Sequence, residues 1–524
     1  MKKTRRFLCL LLTLVLALSL CAIPAAAADT QTRSDDPVVF VHGLFGWGQR
    51  DKIFSIMPYW GMTTGSLPDY LATQGYETYA ASVGPLSSAW DRACELYAQL
   101  VGARTDYGVK HAQDFGHERY GIDYETPLFE GWGTQRAVNL VGHSFGGATT
   151  RLFLEILTNG CPEEVAAAKA AGVAPSPFFL GGKGSWVHSL TAIAAPHNGT
   201  TFIEANSDFT KLAANLATGA AKALGLSSLK GVYDFQLDQF GIRKDDNETF
   251  AQALDRVLRS DFLSHNDNAF LDLTIDKSLE INKGIEIQPN VYYFSYAGDQ
   301  TSADPLTGNH YPTVSAIPSN GMSALMMPGS INMGKYCDKY TAGGIYIDRS
   351  WLPNDGLVNT VSALYPTTTD KNTTECRKRD GTQGWINYDG YSDITFRPGI
   401  WYVMPVTRAD HMQFVGGIAN KSVIETRLFY RNLMDDIYGT YGSGQPEEQP
   451  FPFTDVAAGR WSYSYIRQLY EAGVIDGMTP TTFVPTGDVT RAQFVKMLAR
   501  LQGADVSEYL SLIHISEPTR LLSI

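Results

Sequence analysis

Ala137-Val138-Asn139-Leu140-Val141 leads directly into Gly142-His143-Ser144-Phe145-Gly146, and a helix-like stretch, Ala148 to Leu157, follows. A mostly apolar run, a GxSxG pentapeptide and a helix in that order read as a nucleophile elbow, in which a serine on a sharp, strained turn exposes its hydroxyl at a helix N-terminus. Glycine is needed on both sides of such a serine, because side chains there would collide with the neighbouring strand and helix. The bare pentapeptide occurs by chance in unrelated chains; the flanking pattern makes Ser144 a candidate nucleophile.

Upstream, the strand-like Pro37 to Val41 enters His42-Gly43-Leu44-Phe45-Gly46-Trp47-Gly48. A glycine-rich loop after an early strand is where an α/β-hydrolase finds its first oxyanion-hole amide, the second being the residue after the nucleophile. Leu44 and Phe145 are therefore the candidate backbone donors, each such donor contributing roughly 3 kcal/mol to the transition state. A turn packing an aromatic is the plainer reading of the same loop.

A serine nucleophile needs a base and an orienting carboxylate, in this fold in the chain order serine, acid, histidine. Asp355 lies in the turn-like Asn354-Asp355-Gly356, and His411 follows the strand-like Trp401 to Val406. Both fit by order and by loop placement. His188 and His197 follow the elbow with no acid suitably placed between, and His310 precedes the Asp355 turn. A solvated or structural histidine remains the plain alternative for His411.

The 524 residues, 44% hydrophobic and 18% charged, can build a sizeable core, one large domain with a smaller appendage. A net charge of −12 argues against a nucleic-acid ligand. Lys2, Lys3, Arg5 and Arg6 precede the apolar Phe7 to Leu20 and an Ala-rich stretch ending at Ala28, the pattern of a signal peptide over residues 1–28. Leu20 before Cys21 is too large for lipoprotein processing. No other run is long and apolar enough to span a bilayer, so export without integral membrane insertion is expected. Cys94, Cys161, Cys337 and Cys376 lie beyond the signal region and contain no CxxC pair, so cysteine-ligated zinc is not expected and no disulfide pairing follows.

Val83-Gly84-Pro85-Leu86-Ser87-Ser88-Ala89-Trp90-Asp91-Arg92, Ala195-Pro196-His197-Asn198-Gly199-Thr200, Val232-Tyr233-Asp234-Phe235 and Gly308-Asn309-His310-Tyr311-Pro312 carry a resemblance running from about Pro37 to about Tyr438. The chain resembles the secreted, zinc-containing triacylglycerol lipases of the bacillus and staphylococcus type. The resemblance implies an α/β-hydrolase with a mostly parallel central sheet that cleaves long-chain acylglycerol esters, with Ser144, Asp355 and His411 matching the family triad. Leu44 and Phe145 match its oxyanion amides, where the family usually carries Phe and Gln. It also implies zinc ligands at Asp91, His111, His117 and Asp267, a set without an open position and therefore structural. Spacing alone hides this quartet, since His-x5-His fits no helical face. The family's calcium ligands correspond to Gln413 and Ile418, which offer no carboxylate, so loss of that calcium site is expected. Residues 208–225 carry Phe209, Leu212, Ala213, Leu216, Ala220 and Leu224 at three- and four-residue spacing, an apolar stripe that suits a helical lid or an ordinary core-facing helix.

The lipase-like region is expected to span residues 29–441. Residues 442–452, rich in Gly, Gln, Glu and Pro, read as a linker. Phe453-Thr454-Asp455-Val456, Gly473-Val474-Ile475-Asp476-Gly477 and Thr490-Arg491-Ala492-Gln493-Phe494 then resemble one S-layer homology repeat, residues 453–509, a small helical unit of a family that anchors proteins to cell-wall polymers. Residues 510–524 resemble the in-frame translation of a sequencing-library adapter, which would make His514 an artefact. The expected function is a secreted, wall-attached lipase; a short-chain carboxylesterase and a non-catalytic surface-binding protein are the alternatives.

Overall fold

The computed structural model describes residues 36–206, 208–315, 320–367, 384–388, 395–417, 422–441, 451–457, 460, 462–471 and 474–501. The signal peptide, most of the linker, Cys376, Ile418 and the adapter-like segment lie outside the described residues. Cys94, Cys161 and Cys337 are free thiols.

The apolar run that ends at Val41 forms strand β1 (Val38–Val41), and β2 (Thr78–Ala81) pairs with it in parallel. Helix α1 (Ala89–Val101) follows, started by the Ser88 side chain accepting the Asp91 N–H and stopped by Gly102 in the left-handed conformation. Next come α2 (Val109–Phe115), β3 (Val138–His143), α3 (Phe145–Asn159), β4 (Val187–Ile193) and α4 (Phe209–Ala223). Strands β5 (Tyr292–Tyr296), β6 (Trp385–Asn387) and β7 (Trp401–Val403) complete the sheet, and α5 (Val423–Tyr438) closes the large unit. The strand order is β6-β7-β5-β4-β3-β1-β2, every pairing parallel.

All four residues of β1 and all six of β3 are buried, as expected of strands covered on both faces. Side chains alternate between two cores. Val38, Phe40, Val141, Ile193 and Phe294 join one, while Val39, Val41, Leu140, Leu190 and Tyr293 join the other. The chain runs from β1 outward to β2 and then returns to place β3 on the other side of β1. Their carboxyl ends therefore meet at a topological switch point, where an open α/β sheet forms its crevice.

Helix α5 returns to the start of the sheet, where the hydroxyls of Tyr438 and Tyr441 donate to the carbonyl and carboxylate of Asp36 at 2.8 and 3.0 Å. Beyond it, Phe453, Val456, Ile466, Val474 and Ile475 form a separate small core between α6 (Tyr463–Glu471) and α7 (Arg491–Leu501). Among the described residues no helix is long and apolar enough to cross a membrane.

Candidate active site and metal centre

Ser144 sits between β3 and α3 with φ 55° and ψ −130°, a backbone strain that marks functional sites. The two glycines are sterically required: a Cβ on Gly142 would lie 2.5 Å from the Gly146 backbone, and one on Gly146 would lie 2.1 Å from the Val41 carbonyl oxygen. Because Val41 pairs with Gly142, the loop leaving β1 runs beside the elbow, and a Cβ on Gly43 would lie 2.6 Å from that of Ser144.

That loop is held by buried polar groups. Arg92, fully buried, donates to the carbonyl of His42, to that of Gly84 at 2.8 Å and to the hydroxyl of Thr149 at 2.8 Å, with its guanidinium 5.2 Å from the centre of the Phe145 ring. Burial, reinforced by Arg92, pulls the His42 imidazole down to about 3, so it is neutral. Its Nε2 accepts the Val83 N–H at 3.3 Å, which leaves the proton on Nδ1 to be donated to the Gly43 carbonyl at 2.9 Å. The Gly46 N–H donates to the same carbonyl at 3.1 Å. Gly43 C=O and Leu44 N–H share one trans peptide plane, so fixing the carbonyl aims the N–H the opposite way. Among the described residues neither the Leu44 nor the Phe145 N–H has a protein acceptor.

Asp355 and His411 meet across loops. His411 Nδ1 donates to Asp355 Oδ2 at 2.8 Å, and the other carboxylate oxygen accepts the N–H groups of Leu357 and Val358 at 3.0 and 2.7 Å. Both residues are buried. The His411 N–H donates to the Asp355 carbonyl at 2.9 Å, so the pair is fixed through backbone and side chain together. Ser144 and His411 open into one cavity of about 160 Å³, whose far wall is built by Ala213, Leu216, Ala220 and Leu224. The apolar stripe of α4 thus faces the catalytic candidates. The same helix also packs into the core on that side of the sheet, through Ala213 and Ala221.

A second cluster lies beside the sheet. Asp91 on α1, His111 on α2, His117 just beyond it and Asp267 bring one ligand atom each to within 4.8 Å of one another. His111 Nε2 is 3.2 Å from both carboxylates, and His117 Nε2 is 3.3 Å from Asp267. The spacing problem of the two histidines is solved by Gly116, whose left-handed turn (φ 72°) ends α2 and swings His117 back toward His111. Outer partners orient the ligands: His117 Nδ1 donates to the Glu118 carbonyl at 2.8 Å, leaving Nε2 bare, and Gln239 donates to the second oxygen of Asp91 at 2.9 Å. Two atoms facing the centre, Asp91 Oδ1 and His117 Nε2, are buried without a hydrogen-bond partner. Burial together with the negative charge of Asp267 pushes the Asp91 carboxyl up, while burial is outweighed at His111, which the two carboxylates hold at about 10. Two imidazoles and two carboxylates converging on orphaned lone pairs fit a tetrahedral divalent cation such as zinc. At the position considered for calcium, the Gln413 carboxamide is engaged with the Asp410 N–H and the Gly321 carbonyl at 2.8 and 3.1 Å.

Residues 34–443 match the family model for the C-terminal domain of lipase-like proteins. The chain belongs to that lipase-like family. Residues 452–495 match the S-layer homology domain. Over 421 residues the lipase-like chain is 35% identical to a lipase of Staphylococcus hyicus, and over 420 it is 34% identical to lipase 2 of Staphylococcus aureus. These alignments take in 79% of the chain but only 59% and 55% of the relatives, so it spans little more than half their length. Among solved structures it resembles EstA from Clostridium botulinum (32% identity, TM-score 0.65, covering 79% of this chain and 89% of that one). Lipase 1 from Pelosinus fermentans is similar (35%, TM-score 0.63, 77% and 99%). The lipase-like unit is an α/β-hydrolase.

The sequence-derived candidates fall into two groups: Leu44, Ser144 and His411 line the cavity, with Phe145 next to Ser144 and Asp355 bonded to His411, and the Asp/His quartet forms its own cluster. Sequence reasoning missed Tyr59, Arg92, Gln239 and the role of His143. Each acts across long chain separations that leave no local periodicity.

Proposed function

We propose that the chain is an exported, wall-attached lipase that hydrolyses carboxylic esters of acylglycerols through Ser144, His411 and Asp355. The hydrogen bond of 2.8 Å between His411 and Asp355, with Ser144 in the same cavity, carries the reading. His411 Nε2 takes the Ser144 proton as the hydroxyl oxygen attacks the ester carbonyl, while Asp355 fixes the imidazole and balances its charge. The Leu44 and Phe145 N–H groups receive the developing oxyanion. His411 then protonates the departing alcohol, and water, activated by the same imidazole, releases the fatty acid and restores Ser144.

The apolar wall of α4 suits a long acyl chain, and its displacement at a lipid surface would expose the stripe to the substrate phase. Asp91, His111, His117 and Asp267 would hold zinc as a structural cross-link, away from the reaction. The chain is organised as a signal peptide (1–28), the hydrolase unit (29–441), a linker and an S-layer homology repeat that attaches it to a cell-wall polymer.

Hydrolysis of a short and a long acyl ester, compared with Ser144→Ala, tests this reading. Long-chain turnover that vanishes in Ser144→Ala is the expected result; serine-dependent turnover of the short ester alone would make the chain a carboxylesterase, and no serine-dependent turnover would leave a surface-binding protein.

A further inference from the structure

The elbow histidine is not a spacer. Tyr59, His143 and His411 are 3%, 0% and 2% exposed, and they form a continuous buried chain. His143 Nε2 lies 3.0 Å from the carbonyl oxygen of His411, and His143 Nδ1 lies 2.7 Å from the Tyr59 hydroxyl. The Gly43 N–H donates to that hydroxyl at 3.3 Å.

The proton positions follow from which atoms accept. A carbonyl can only accept, so His143 Nε2 carries a hydrogen. Burial, reinforced by His411, holds the imidazole far below the usual histidine range, so the ring is neutral and Nδ1 is bare. Tyr59 must then give its single proton to Nδ1, and its oxygen is left to accept from Gly43. Reversing any one link would set two donors or two acceptors face to face in a buried interior, where an unmade hydrogen bond is costly. Trp47 and Trp60 pack edge-on against the Tyr59 ring, with centroids 5.6 and 5.4 Å away, and keep it in register.

We propose that Tyr59 and His143 are positioning residues for the ester hydrolysis, a one-way hydrogen-bond chain that ties the loop bearing His411 to the loop bearing Leu44. The chain joins three segments that the reaction needs in fixed relation. Gly43 immediately precedes the oxyanion donor, His143 immediately precedes the nucleophile, and the carbonyl belongs to the base itself. Its neutral histidine has one tautomer only, set by the His411 carbonyl and matched by the Tyr59 hydroxyl. The proposal rests on the catalytic reading of Ser144 and His411.

Tyr59→Phe, His143→Asn, His143→Gln and the double variant Tyr59→Phe/His143→Asn test it in the full chain, on a short soluble ester with active sites counted by an organophosphonate. Glutamine carries its NH2 to the place of Nε2 and keeps the bond to His411; asparagine reaches only the place of Nδ1. The expected result is a kcat per titrated site about tenfold to a hundredfold lower for Tyr59→Phe and His143→Asn, with KM within about twofold. His143→Gln, which loses the Tyr59 link, falls as Tyr59→Phe does, and the double variant is no worse than the poorer single one, because each substitution cuts the same chain. Wild-type kcat in Tyr59→Phe or in His143→Gln, or additive losses, would overturn it. If His143→Asn fails to fold, the nearly isosteric Tyr59→Phe decides alone. Ser144→Ala run alongside separates the two failures: turnover there removes the catalytic reading, whereas an inactive Ser144→Ala beside a wild-type Tyr59→Phe removes only the positioning chain.

Discussion

Single residues show how burial sets protonation in this chain. Ser144 holds a positive φ because β1 and α3 leave room only for glycine on either side of it. His188, far from the cavity, is stacked on Tyr441 with ring centroids 3.7 Å apart and is hydrogen-bonded to Thr440 at 2.7 Å. Burial pulls it down to about 4 from an ordinary 6.5. A folded-state value below the unfolded one means that the unfolded chain binds the proton first. The stabilising effect of a neutral His188 is therefore complete above pH 6.5 and is lost as the pH falls toward 4, by up to about 1.4 kcal/mol per pH unit. Denaturant melts of His188→Gln against wild type should show the variant less stable at pH 7.5 and the gap closing steadily between pH 6.5 and 4; a gap constant with pH would mean that His188 titrates normally.

Among the elements, α1, α2 and the segment around Asp267 are pinned together by the Asp/His quartet. None of the three is joined to another by the main sheet, so the cross-link holds the flank on which α1 packs against α3. A bound ion present at about a thousand times its dissociation constant contributes about 4 kcal/mol to stability. Removing divalent metal with a chelator should therefore lower Tm by about 5 °C or more, and added zinc should restore it, while the rate on a short ester at room temperature stays near that of the untreated protein. A Tm indifferent to chelator would exclude a structural cation, and an immediate loss of rate at low temperature would bring the ion into the reaction. Helix α4 lines the cavity with Ala213, Leu216, Ala220 and Leu224 while Ala213 and Ala221 also join the core.

For the whole molecule, the hydrolase unit closes on itself where Tyr438 and Tyr441 reach Asp36, whereas the C-terminal unit has only a small core of its own around Phe453 and Ile466. A protein comprising residues 29–441 should keep the ester hydrolysis of the full chain and lose co-sedimentation with purified cell walls. Retained wall binding would move the attachment surface onto the hydrolase unit. Cutting before Tyr438 should lower Tm as well, because the first residues of the sheet then lose the partner that covers them.

What the sequence alone determined is local. The run from Ala137 to Leu157 carries its strand, turn and helix in consecutive residues, and Gly142 is required by contact with the Gly146 backbone within that same unit, although the contact that requires Gly146 comes from Val41 on β1. The Gly-rich loop after β1 and the change of composition after Tyr441 are legible for the same reason, and the stripe of α4 follows from helical periodicity. Tertiary structure decided the rest. Asp355 and His411 stand 56 residues apart, and the quartet runs from Asp91 to Asp267; chain order suggested the first pair, and only family resemblance pointed to the second set. The face that α4 presents was equally open, since periodicity describes a stripe but not what it covers. Tyr59 and His143, 84 residues apart, gave no signal at all. A hydrogen bond between distant segments depends on how strands and loops pack and on the exclusion of water, and neither leaves a spacing that can be read along the chain.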